Sequence, residues 1–233
     1  MGEIVCLIIF LISIFLFKFI FKINLKDAKK LEENKTLQEV TDRFPENIEI
    51  AKEMLEMLNN DNVKIEEAKN TKTSLYIAVT NKILIADLKD NYGRIQTIAH
   101  ECLHSVQDRT LLVFNFLFSN ITIIYWIVTI ILTVCNVFTN SFLQISILLL
   151  LFFIQTIIRA YLETDAMTKS KYLSKEYIEN KKLCTKKEEN ELVSEYDKIN
   201  NMGIPFYLYK LTTNSILKII SYLIICIVLK FII

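Results

Sequence analysis

Apolar and polar positions divide this chain into alternating blocks. Four stretches carry little charge: from about Ile4 to Phe21, two within the run from Leu111 to Ile158 that divides near Asn136–Ser141, and from about Leu211 to Ile233. Each could form a helix of roughly 20 residues, enough to cross a hydrocarbon layer of about 30 Å. The intervening blocks show shorter periods. Residues 24 to about 73 are polar and read as helix-rich, with a mixed charged and apolar stripe from Ala51 to Leu58 that suits a packing face. Ser74–Val79 and Lys82–Ala86 read as two short strands joined by a tight turn at Thr80–Asn81. A helix is predicted from near Arg94 to about Arg109. Its apolar positions are Ile95, Ile98, Ala99, Cys102, Leu103 and Val106, and its flanks, including Gln96, Thr97, Ser105, Gln107 and Asp108, are polar. That pattern predicts an amphipathic helix, wet on its flanks, lying at a membrane surface.

Further along, residues 169 to 200 are rich in Lys and Glu and predict a solvated helical pair. Met202-Gly203-Ile204-Pro205 predicts a break before the last apolar stretch. The resulting division is 1–23, an anchor span; 24–110, a polar segment; 111–158, a membrane hairpin; 159–210, a helical segment; and 211–233, a final span. With only 3 Gly and 2 Pro in 233 residues, long helices are favoured over turn-rich β architecture.

Charge adds an orientation. The net charge of +1 points to neither nucleic acid nor acidic substrates. Lys18, Lys22, Lys26, Lys29 and Lys30 follow the first span, and Arg109 and Arg159 flank the hairpin, whose loop at Asn136–Ser141 is uncharged. The positive-inside rule then places both termini outside and the two polar segments in the cytoplasm. Lys230, near the outer end of the last span, is a misfit that snorkelling would relieve. The first span has no basic leader and no small-residue cleavage site, so it reads as an anchor. Five cysteines with no CxxC pair suit a reducing compartment. The bilayer is therefore an expected partner.

The chemistry concentrates in one place. The chain has 2 histidines, His100 and His104, with Glu101 beside the first. Residues four apart share a helix face, so both imidazoles can meet one zinc ion, and Glu101 can reach the water on that ion. A catalytic zinc usually takes three protein ligands. No histidine remains, so the third is sought among carboxylates and thiolates. Two spans separate His104 from Glu163, which returns both to one membrane face. Glu163 is preferred. Asp165, pointing about 200° away on a helix, is assigned to orienting a histidine N–H. Cys102 is offset in the same way from His100 and reads as a packing residue. Glu101 is the expected general base. Candidates to stabilise an oxyanion are Arg159, Tyr161, Tyr207 and Tyr209, and the strand around Lys82–Ala86 is a candidate for β-augmentation by a substrate.

Ala99-His-Glu-Cys-Leu-His-Ser-Val-Gln107 resembles the AHExGHAxQ signature of the neutral zinc metallopeptidase family of small bacterial membrane proteins. Glu163-Thr-Asp-Ala166 is similar to that family's downstream Glu-x-(Asp/Asn)-Ala element, and the order of spans, strand pair and motif helix is similar too. The likeness covers roughly residues 74–110 and 155–170. Leu103 stands where the family has glycine. The resemblance implies a gluzincin-like peptidase with one zinc on His100, His104 and Glu163. Two other membrane zinc-peptidase types fit less well: Met167 stands where the ExxxD pattern of one needs aspartate, and the Asp-Gly pair of the other is absent.

The expected fold is therefore a mainly α membrane protein, with four transmembrane helices and a small cytoplasmic α+β zincin-like part made of a short strand pair and the HExxH helix. The expected protein is a multi-pass cell-membrane endopeptidase that takes peptide or membrane-protein substrates and works on the cytoplasmic side. The alternative is a non-catalytic, zinc-stabilised membrane module acting as adaptor or chaperone.

Overall fold

A computed structural model describes residues 2–23, 34–68, 71, 73–88 and 91–232. Lys26, Lys29 and Lys30, used above for orientation, lie outside these residues. The elements in chain order are α1 (Gly2–Ile20), α2 (Lys35–Thr41), α3 (Asn47–Met57), β1 (Lys64–Ala68), β2 (Leu75–Ile77), β3 (Lys82–Ala86), α4 (Arg94–Val106), α5 (Arg109–Val134), α6 (Ser141–Lys181) and α7 (Lys186–Ile232). The chain divides into two compact units. One comprises Met1–Ile23, Phe114–Tyr161 and Pro205–Ile233; the other comprises Asn24–Val113 and Leu162–Ile204.

The first unit is built from apolar helix. α1, α5, α6 and α7 are each long and apolar enough to cross a membrane. In lipid, apolar contact alone does little to select a helix partner, so directed polar bonds matter more. Trp126 Nε1 on α5 donates to the Lys218 carbonyl on α7 at 2.9 Å, and Tyr125 OH donates to Gln144 Oε1 on α6 at 2.7 Å. Around them pack Leu148, Phe152, Ile219, Tyr222 and Leu223. Ser141 Oγ donates to Glu3 Oε1 at 2.8 Å, and Lys230 forms an ion pair with the same oxygen. Lys230 therefore has a carboxylate partner and does not depend on snorkelling. The predicted break at Met202–Pro205 is absent: α7 runs through Pro205 without interruption. A proline removes one backbone N–H, a loss that a long helix with good flanking sequence can absorb.

The second unit holds a three-stranded sheet in the order β1-β3-β2. The expected hairpin forms, with β2 antiparallel to β3 and Tyr76 opposite Ile83. Asn81 closes it in the left-handed region at φ 49°, a conformation asparagine tolerates. β1 was not expected. It runs parallel to β3, with Ile65 opposite Ile83. Its sequence, KIEEA, has no alternating apolar pattern, because it is a charged edge strand. β3 is consequently the central strand, paired on both sides, so it cannot accept a substrate by β-augmentation.

α4 is the hub of this unit. Ile95, Ile98, Ala99 and Cys102 pack against Ile50, Ala51 and Met54 of α3, Ile83 and Ile85 of β3, and Ala166, Tyr177, Leu192 and Tyr196 of the returning helices. Its polar flanks are mixed: Asp108 is exposed and Thr97, Ser105 and Gln107 are half-buried, but Gln96 and the first residue, Arg94, are buried. Arg94, 3% exposed, uses both terminal nitrogens: Nη1 donates to the Pro45 carbonyl and Asn47 Oδ1, and Nη2 to the carbonyls of Thr41 and Phe44, at 2.6–2.9 Å. It bonds carbonyls at the end of α2 and in the following turn, among them that of Thr41, which also accepts the Phe44 N–H at 3.1 Å.

Replacing Arg94 with leucine should destabilise the protein by roughly 3 kcal/mol or more, at about 1–3 kcal/mol for each stranded buried acceptor. Thermal unfolding of the purified protein in detergent measures it. A melt equal to that of the wild type would show that this bonding does not hold the α2–α3 segment.

Candidate metal centre

The site starts from the geometry of α4. One turn separates His100 from His104, and their rings meet edge to face at a centroid distance of 4.6 Å. The two Nε2 atoms are 3.0 Å apart. Glu163, on α6, brings Oε2 to 3.5 Å from His100 Nε2 and 3.8 Å from His104 Nε2. These three donors form a cluster that could hold one metal ion. A tetrahedral zinc with ligands at about 2.0–2.2 Å would space its donors about 3.3–3.6 Å apart, so the triangle needs little adjustment to receive one.

The 3.0 Å contact between imidazoles also fits an N–H···N hydrogen bond, and the surrounding bonds bear on the choice. Gln107 Nε2 donates to the Leu162 carbonyl at 2.8 Å and to Asp165 Oδ2 at 2.9 Å. Both partners only accept, so the amide orientation is set. Its Oε1 then faces His104 Nδ1 at 2.8 Å. An amide oxygen cannot donate, so Nδ1 carries the hydrogen. A neutral His104 therefore presents an Nε2 lone pair to His100 and Glu163, the form a metal ligand requires. Asp165 thus reaches a histidine only through Gln107, and its other oxygen pairs with Lys169 at 2.7 Å. The direct bond expected between Asp165 and a histidine is made by Gln107 instead, because Asp165 points elsewhere on α6. In the sequence Gln107 is a polar flank and a letter of the motif. Gln107 is the C-cap of α4, with extended backbone just past Val106, so the available signal was its closeness to His104 in the sequence.

Electrostatics at these groups follow from burial and neighbours. Burial would raise the Glu163 carboxyl, but the two imidazoles outweigh it and hold the group well below the usual carboxylate range. Burial would lower His104, but Glu163, Glu101 and the Gln107 bond together raise it. Burial opposes the ionised form of Asp165, yet Gln107 and Lys169 keep it low.

Glu101 is 7% exposed. Burial raises its pKa, partly countered by the imidazoles and by a backbone donor. That donor is the Tyr76 N–H, which faces off the sheet edge at β2 and meets Glu101 Oε2 at 2.7 Å. No sequence signal could have announced it, since it is a main-chain group. Cys102 lies in the core with Sγ 3.7 Å from the Ala51 carbonyl, and burial pushes its thiol up. Leu103 is buried in the same core. Arg159, Tyr161, Tyr207 and Tyr209 all belong to the other unit.

No protein-family model matches the chain, no curated protein matches it, and no solved structure matches it. The resemblance described above therefore rests on Ala99–Gln107 and Glu163–Ala166 themselves.

Gln107→Leu should lower zinc affinity by about 10–100-fold, the usual effect of losing a group that orients a ligand. Competition with a chromophoric chelator measures it. Unchanged affinity would mean that the amide does not set the His104 tautomer.

Proposed function

We propose that this chain is a membrane-bound zinc metallopeptidase, an endopeptidase acting on peptide or membrane-protein substrates. The observation that carries the reading is Glu101: a buried carboxylate next to His100, on the helix that supplies both imidazoles. His100, His104 and Glu163 would hold the ion. Zinc, when bound, would lower the pKa of a water to about 7 and polarise the scissile carbonyl. Glu101 would take the proton from the attacking water on one carboxylate oxygen and pass it to the leaving amine. The Tyr76 N–H fixes the other oxygen, so the base need not reorganise. Gln107 keeps the His104 Nδ1 proton in place throughout.

One observation favours the alternative, a non-catalytic module in which zinc only pins the helices. Glu101 has a structural use, since it accepts the Tyr76 N–H at the sheet edge. The two readings separate at Glu101→Gln. A glutamine can still accept from Tyr76 but cannot take a proton. Peptidase function predicts retained zinc and turnover reduced by about 10²–10⁴-fold; the structural module predicts no change. Metal should fall sharply in His100→Ala and His104→Ala and measurably in Glu163→Ala. A fully active Glu101→Gln protein ends the peptidase reading.

We further propose a multi-pass cell-membrane protein with this site on the cytoplasmic side. Four apolar helices and the basic residues Lys18, Lys22, Arg109 and Arg159 beside them support this. Asn91 is exposed in the same unit as the site. In a cysteine-free background, Asn91→Cys should resist an impermeant thiol reagent in intact cells and react after lysis. Labelling in intact cells would reverse the orientation.

A further inference from the structure

Glu163 sits within the 41-residue helix α6. Its carboxylate can serve a metal only if held within about 0.5 Å of the right place. A helix can miss in two ways, by sliding about 1.5 Å or by turning about 100° for each residue of slip. Apolar packing resists both weakly, because it is not directional. The small Ala166 at this contact adds little steric key.

Two side-chain amides grip the backbone of α6 on either side of Glu163. Before it, Gln107 Nε2 bonds the Leu162 carbonyl. After it, Asn200 Nδ2, from α7, bonds the Met167 carbonyl at 2.7 Å, one turn past Glu163. Asn200 is 7% exposed. Its Oδ1 accepts from Gln96 Nε2 at 3.0 Å, and the same nitrogen reaches the Tyr196 carbonyl at 3.2 Å. Gln96 lies one turn before His100 on α4. The bonds therefore run from the histidine helix, through α7, to a carbonyl on the Glu163 helix. Their polarity is forced. Met167 and Tyr196 offer only carbonyl oxygens, so Asn200 Nδ2 and Gln96 Nε2 must be the donors, and rotating either amide by half a turn breaks the chain.

We propose that Asn200 is a positioning residue for the metal centre: it fixes α6 against α4 so that Glu163 meets His100 and His104. This rests on the metal reading above and adds a residue outside both motif segments. All contacts it uses lie within one unit of the fold.

The test is a double-mutant cycle on the full chain in detergent, read by Co²⁺ and Zn²⁺ affinity and by the visible spectrum of the bound Co²⁺. If Asn200 acts through Glu163, Asn200→Leu lowers affinity by about 10-fold or more. It also moves the cobalt spectrum to that of Glu163→Ala, and it costs nothing further when Glu163 is already alanine. A residue that merely stabilises the fold would leave the cobalt spectrum of the wild type in place. Should Asn200→Leu not fold, Asn200→Asp keeps the size and the acceptor for Gln96 but loses the donor to Met167, and the same spectral change is expected. An unchanged spectrum, or equal losses with and without Glu163, overturns the proposal. A wild-type protein that binds neither ion overturns the metal reading itself, an outcome visible before any variant is made.

Discussion

Convergence of Glu163 on His100 and His104 depends on the register of one helix against another, and amide-to-carbonyl bonds lie on both sides of Glu163. Apolar contact brings α4 and α6 together but tolerates sliding. The bonds from Gln107 to Leu162 and from Asn200 to Met167 tolerate very little, because a hydrogen bond weakens steeply with distance and angle. One comes from the C-cap of α4, and the other is reached from α4 through Gln96. The same helix also meets the sheet edge through Glu101 and Tyr76. One buried helix therefore supplies two candidate ligands and a candidate base, and also anchors the segment that presents the third donor.

Polar bonds play the corresponding part among the apolar helices. Trp126 to Lys218 and Tyr125 to Gln144 tie α5 to its two neighbours where packing of alkyl groups would accept many arrangements. Glu3 gathers Ser141 and Lys230, joining three chain segments at one carboxylate. A basic residue that looked out of place in the sequence is thereby matched.

Much of this was legible in the residues, where short-range geometry decides. The i,i+4 histidines share a helix face in any helix, and the four apolar helices follow from composition. The β2–β3 hairpin follows from its alternation and from Asn81. Pairing Glu163 with the histidines needed one topological step, the even number of apolar stretches between them. What was hidden depends on partners distant in sequence. β1 has a surface strand's composition and exists because β3 offers it an edge. Gln96 looks like a wet flank and Arg94 like a helix start, yet both are buried where carbonyls from α7 and from α2 and the turn after it receive them. Gln107 looks like another polar residue until Leu162 and Asp165 fix its amide. The run through Pro205 depends on the helix on both sides of it.

The unit carrying the site is assembled from two pieces of chain, Asn24–Val113 and Leu162–Ile204, with an apolar hairpin between them. This has a consequence for biosynthesis. A ribosome that has released the chain only as far as Val113 has made both histidines and Glu101. It has not made Glu163, nor Ala166, Tyr177, Leu192 and Tyr196 of the core around α4. The motif helix then has no complete hydrophobic surround and no third donor. Both arrive only after the hairpin has been synthesised, so the three-donor cluster is completed late, and a nascent or truncated chain carries only part of it.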